Sequence, residues 1–90
     1  MFALFPANSF KRDMKKQAIG LTVSPEWVEV MTCLMNGTPM PKKYCDHDLK
    51  HNWQGFRECH IQPDLLLIYK YQQNQSILLH RIGSHSELFG

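Results

Sequence analysis

The run Leu65-Leu66-Leu67-Ile68-Tyr69 decides the fold, because it is apolar at odd and even positions alike. Successive strand side chains point to opposite faces, so a strand with no polar parity has to be covered on both sides. That makes it the central strand of a sheet, with helices on one face and loops on the other. Before it, Gln62-Pro63-Asp64 is a tight turn and Phe56 to Ile61 reads as a strand. After it, the strand runs on to Tyr71, Gln72 to Gln75 form a polar turn, and Ser76 to Ile82 reads as a third strand. The second half of the chain is an antiparallel meander.

Upstream, the pattern changes period. Ser24-Pro25-Glu26 joins a cap hydroxyl, a proline at the first helical position and an acid in the first turn, where the helix dipole favours it. Trp27, Val30, Met31, Leu34 and Met35 then follow the i, i+3, i+4, i+7, i+8 spacing of a buried helical stripe, and Asn36-Gly37 closes the helix. An earlier helix is expected where Phe10, Met14 and Ala18 fall at four-residue steps among Lys11, Arg12, Asp13, Lys15 and Lys16, with Asn8 or Ser9 as its cap and Gly20 as its end. Phe2 to Phe5, stopped by Pro6, reads as an edge strand. Thr38 to Trp53, with two prolines and many charges, is a long ordered loop, a feature of small domains that usually carries function. The expected fold is α+β: an N-terminal strand and two helices packed on one face of a mainly antiparallel sheet, completed by the three-stranded C-terminal meander. The opposite face is expected to be the polar, working one.

Ninety residues, 43% apolar and 20% charged, fit a single domain over 1–90 and exclude a multidomain enzyme or a disordered tail. The net charge of +2 permits an RNA partner without requiring one, while five histidines can add positive charge beside a phosphate. Cys33, Cys45 and Cys59 are an odd set with no CxxC pair, which argues against a disulfide framework and points to a reducing, cytoplasmic compartment. Met1 to Pro6 is apolar but has no preceding positive residue and is too short for a signal peptide or a membrane span, so no membrane partner is expected.

The residues with chemical potential lie in three stretches: Asp46-His47-Asp48, His60 with Asp64, and Arg81 with His85. Brought together, they supply imidazoles, a carboxylate and a fixed cation. That inventory suits acid–base catalysis on a phosphodiester: a base for a 2′-OH, an acid for the 5′-oxygen and positive charge for the transition state. His47 and His51 are four apart but lack an HExxH pattern, and neither a metal nor another cofactor is expected. Cys59 and His60 are adjacent on a strand and therefore face opposite ways, which leaves Cys59 in the core. His51 and His80 read as solvated or partly packed. Lys42, Lys43 and Lys50 form a wet rim suited to tracking phosphates, the cations of the first helix a solvated face, and Trp53 and Arg57 pack and anchor the loop.

At Asp46-His47, at Asn52 to Tyr69 (NWQGFRECHIQPDLLLIY) and at Arg81 to Phe89 (RIGSHSELF), the chain resembles the YafQ branch of the RelE superfamily, bacterial toxins of type II toxin–antitoxin systems. The resemblance runs from about residue 44 to the C-terminus; upstream only the order of elements matches. It implies a compact RelE-like fold and an endoribonuclease that enters the ribosomal A site, cuts mRNA through the RNA's own 2′-OH and leaves a cyclic phosphate. It also implies a cognate antitoxin that wraps the toxin in a hetero-oligomer, with the exposed parts of the two helices as its landing site. Carried over, the catalytic positions are His47, His60, Asp64 and His85, and the substrate-binding ones are Arg81, Phe89 and Lys50. His85, in the loop after the last strand, and His47 form the proton-transfer pair, in either order. Asp64 orients or charges His60 across the turn, or moves a proton itself. Arg81 steadies the phosphate, and Phe89 stacks on a base, a contact of about 1–3 kcal/mol. Leu65 stands where some members carry tryptophan, and leucine cannot stack in the same way, so base selection at the cut either differs or rests on Phe89 alone. The low net charge is offset by its distribution, with a basic first helix and acids at Glu26, Glu29, Asp46, Asp48 and Glu58. Two other readings compete: a catalytically weak binding module for RNA or antitoxin, and a small metal protein using Cys45, His47, Cys59 and His60. The presence of His47, His60, Asp64 and His85 favours the enzyme.

Overall fold

In the computed structural model, which describes residues 1–90, strands β1 (Ala3–Pro6), β2 (His47–Asp48), β3 (Arg57–Gln62), β4 (Leu65–Gln72) and β5 (Ser76–Gly83) form one sheet in the order β1-β5-β4-β3-β2. The apolar run does lie at the centre, as β4. Its neighbours β3 and β5 are antiparallel to it, as is β2 to β3, and only β1 runs parallel to its partner β5. The fold is α+β with a mixed sheet.

Helix α2 (Pro25–Asn36) starts and stops where the local chemistry places it. The Ser24 hydroxyl accepts from Trp27 N–H, and Gly37 closes the helix in the left-handed region at φ 67°. Gly37 is required twice over, because a Cβ there would also come within 2.9 Å of the Phe2 ring. Val30, Met31 and Leu34 are buried, each contributing about 2 kcal/mol by burial, with Trp27 and Met35 half-buried at the ends of the stripe. They pack on Leu65, Leu67 and Tyr69 of β4 and on Cys59, Ile61, Ile77, Leu79 and Ile82, a core of fourteen buried residues.

Helix α1 (Asn8–Met14) departs from expectation at both ends. Ala7 occupies the cap position with no side-chain hydrogen bond, Asn8 lies inside the helix, and Ser9 Oγ donates instead to the His80 carbonyl at 2.7 Å. The helix ends at Met14, and Gly20 sits within a separate 3₁₀ turn, Ile19–Val23. The reason is tertiary. β1 covers β5 only from Ser76 to Leu79, and α1 lies against the remaining edge, where Ser9 and Asp13 take over the bonds a neighbouring strand would make. Asp13, grouped by sequence with the basic outer face, is consequently buried at 4% exposure, while Lys11, Arg12, Lys15 and Lys16 around it stay exposed.

The long loop holds β2 and two 3₁₀ turns, Lys42–Tyr44 and His51–Trp53. After β5 the chain forms a short helix α3 (His85–Phe89), where a loop was expected. A capping box starts it: Ser84 Oγ accepts from Glu87 N–H while the Glu87 carboxylate accepts from Ser84 N–H at 2.8 Å. Gly83 lets α3 fold back, since a Cβ there would lie 3.0 Å from Glu87 Oε1 and 3.3 Å from Leu88. Leu88 packs on Leu66 and Ile68, with Leu49, Trp53, Phe56 and Phe89 around them. The second face, expected to be polar with loops over the central strand, is a thin apolar patch with polar margins, covered by α3 as well as by the loop around Trp53. No helix is long and apolar enough to cross a membrane.

Candidate active site

Strand parity and register place the candidate residues. His47 pairs with Glu58, Glu58 with Ile68, and Ile68 with Arg81, so these four form one row across β2, β3, β4 and β5 on the face opposite the fourteen-residue core. His60, Leu66 and Gly83 form the next row. A bulge helps: Ile68 opposes Arg81 while Tyr69 opposes Leu79, which leaves His80 as an extra residue next to Arg81. With strands about 4.8 Å apart, His47 and Arg81 stand roughly 14 Å from each other at the two ends of the row.

Glu58 is the centre of the His47 end. Its buried carboxylate accepts from His60 Nε2–H at 3.2 Å, and the same Oε1 lies 3.8 Å from His47 Nε2. His47 Nδ1 donates to the Cys45 carbonyl at 2.6 Å, which fixes its tautomer when neutral and leaves Nε2 as the nitrogen free to exchange a proton. The expected His60–Asp64 pairing is not formed: the partner of His60 is Glu58. Asp64 reaches across the sheet instead, and its Oδ1 accepts from His85 N–H at 3.1 Å. A carboxylate at the first turn of α3 complements the unpaired N–H groups there, so Asp64 positions the element that carries His85. His85 is exposed, its ring 5.2 Å from that of Phe89.

Arg81 is not free. Its Nε donates to Asp13 Oδ2 at 2.6 Å and its Nη2 to Asp13 Oδ1 at 3.3 Å, which occupies two of its five N–H groups. Burial pushes the Asp13 carboxyl up, but the bonds from Arg81 and Ile82 N–H outweigh it and hold the group below its ordinary value of 3.8. Phe89 is half-buried with its ring edge-on to Trp53 at 5.7 Å, so only part of it is open to a base. Lys50 lines an open cavity of about 660 Å³ with Asp48, Leu49, His51, Arg57 and Tyr71, and none of the three candidate catalytic histidines borders it. The structure brings His47 and His60 together and ties Asp64 to His85, but places Lys50 apart.

The remaining assignments are structural. Arg57 donates to Asp46 at 2.9 Å and to Asp48 at 2.5 Å, and Tyr69 also donates to Asp46, which pins the loop that presents His47. Trp53 packs on Phe56, His80 and Phe89. Desolvation, with Arg81 nearby, pushes His80 below its ordinary 6.5 and keeps it neutral. Burial pushes the Cys59 thiol up and leaves it inert. Cys59 lies in the core behind His60, so the set Cys45, His47, Cys59 and His60 does not converge, and no three His, Cys, Asp or Glu side chains meet with metal-ligand geometry. Sequence reasoning missed Glu58 and Asp13. The first was detectable, because Glu58 and His60 are two apart on a strand and must share a face.

The chain as a whole has known relatives. A family profile described as the bacterial toxin of type II toxin–antitoxin system, YafQ, matches residues 3–90. The mRNA interferase toxin YafQ of Escherichia coli K12 is 44% identical over 62 residues, covering 68% of this chain and 66% of that protein. A copper-bound mutant toxin from Helicobacter pylori has TM-score 0.84 and 38% identity, covering 99% of this chain and 100% of that one. YafQ in the E. coli DinJ–YafQ complex has TM-score 0.78 and 31% identity with both chains covered completely. With the profile spanning nearly all of the sequence and the fold shared throughout, this chain belongs to the YafQ family of type II toxin–antitoxin toxins.

Proposed function

We propose that this chain is a ribosome-dependent endoribonuclease that cuts mRNA in the A site and is silenced by a cognate antitoxin. The observation that carries the reading is that His47 and His60 meet at Glu58 on the same sheet face as Arg81, with His85 held by Asp64 just beyond the end of β5. In the reaction the 2′-oxygen attacks the adjacent phosphorus, the P–O5′ bond breaks and a 2′,3′-cyclic phosphate remains. One imidazole takes the 2′-OH proton and another gives a proton to the departing 5′-oxygen, roles assigned to the pair His47 and His85. His60, held by Glu58, lies beside that path, and Arg81 offsets charge on the phosphate oxygens. The antitoxin partner is supported by the E. coli YafQ solved together with DinJ.

The test adds purified protein to a defined translating reaction and maps new 5′ ends on the mRNA, with ribosome-free RNA alongside. In-frame cuts that need ribosomes are the expected result. Cuts in free RNA would remove the ribosome from the proposal, and folded protein that cuts neither would leave the binding-module reading in its place.

A further inference from the structure

Four of the ten Lys and Arg side chains, Lys11 and Arg12 on α1 and Lys15 and Lys16 just after it, are exposed, yet the single acid among them, Asp13, turns inward and is 4% exposed. Its carboxylate serves two partners on β5. Oδ2 accepts from Ile82 N–H at 3.1 Å, which closes the strand edge beyond β1, and both oxygens clamp the Arg81 guanidinium through Nε and Nη2. Closing the edge needs only one neutral acceptor. The fork does more: two N–H groups bound to two oxygens fix the plane of the guanidinium as well as its position. Arg81 ends the row that begins with His47, and α3 with His85 starts a few residues later on the same strand exit.

We propose that Asp13 is a positioning residue for catalysis, holding Arg81 in one orientation so that its three remaining N–H groups meet the phosphate being cleaved. The inference rests on the nuclease reading above and on Arg81 as its phosphate ligand. A long arginine side chain loses several rotatable bonds when it binds a phosphate, and a cation fixed in advance spends nothing on that ordering when the transition state forms. Asp13 also joins α1 to β5 at the end of the row that carries Arg81. The other charges near the pair are Arg12 beside Asp13 and Glu87 beside Arg81, and neither makes a hydrogen bond to it.

The test is a double-mutant cycle in the translating-ribosome assay with Asp13→Asn, Arg81→Ala and the combination. Asparagine keeps an acceptor for Ile82 N–H but loses the charged fork, and thermal melts confirm that each variant is folded. The expected result is a kcat about tenfold lower for Asp13→Asn with little change in KM, no further loss when it is added to Arg81→Ala, and a shifted Arg81 Nε–H resonance in the ¹⁵N spectrum. If Asp13→Asn costs as much in the Arg81→Ala background as in wild type, Asp13 only clamps the edge and the proposal falls. If Arg81→Ala cuts as fast as wild type, the proposal falls while the nuclease reading stands. Wild-type protein that cuts nothing overturns both.

Discussion

The two faces of the sheet are built to different depths. One is covered by α1 and α2 and closes a core of fourteen buried residues; the other buries three, under the five-residue α3 and the loop around Trp53. The thick face ties its titratable groups into pairs, Tyr44 with Glu29 and Arg57 with Asp46 and Tyr69, or buries them as it does Cys59, and the thin face holds His47, Glu58, His60, His80 and Arg81. In a chain this short a single layer of helices supplies most of the hydrophobic free energy. The opposite face is thereby released from stability and free to carry partly solvated acid–base groups.

Changes that separate the faces test this division. The largest effect belongs to Leu67→Ala, fully buried on the thick face, which should lower unfolding free energy by about 3–4 kcal/mol in urea titrations. Phe89→Ala on the thin face should cost about 1 kcal/mol, and equal losses would break the comparison. Next, His85→Ala should slow in-frame mRNA cleavage at least a hundredfold, about 2.7 kcal/mol of barrier, with a melting temperature close to wild type.

Third is the acid limb of stability. Because the folded value of Asp13 lies below 3.8, its contribution is complete above that pH and is lost as pH falls through the folded value. Wild type should lose stability there that Asp13→Asn does not, in denaturant melts taken from pH 5 to 2. Glu58→Gln should follow, lowering cleavage about tenfold, near 1.4 kcal/mol, by removing the charge between His47 and His60. The smallest change is in the caps: Ser24→Ala should cost about 1 kcal/mol and Ser84→Ala, on an exposed single turn of helix, less than that, as read by thermal melts.

What sequence reading recovered follows the range of the interactions concerned. α2 was legible because Ser24, Pro25 and Gly37 act within one turn of it, and the meander because its turns are local and its central strand lacks polar parity. The end of α1 and the burial of Asp13 were not, because the groups that determine them, Arg81 and Ile82, lie 68 and 69 positions away. α3 carried a legible signal in Ser84 and Glu87, but five residues are too few for periodicity to register. At the candidate site the residue types were readable and the pairings were not. His60 was matched to Asp64 by nearness along the chain, whereas the sheet pairs it with Glu58 and spends Asp64 on α3.

The contact between Ser9 and His80 spans 71 positions, and β1 likewise waits for β5. During synthesis the first strand and helix therefore emerge long before their partners exist. The sheet closes, and Arg81, His85 and Phe89 take their places, only once β5 and α3 have emerged. On the proposed function, a nascent chain that still lacks β5 and α3 carries no assembled site.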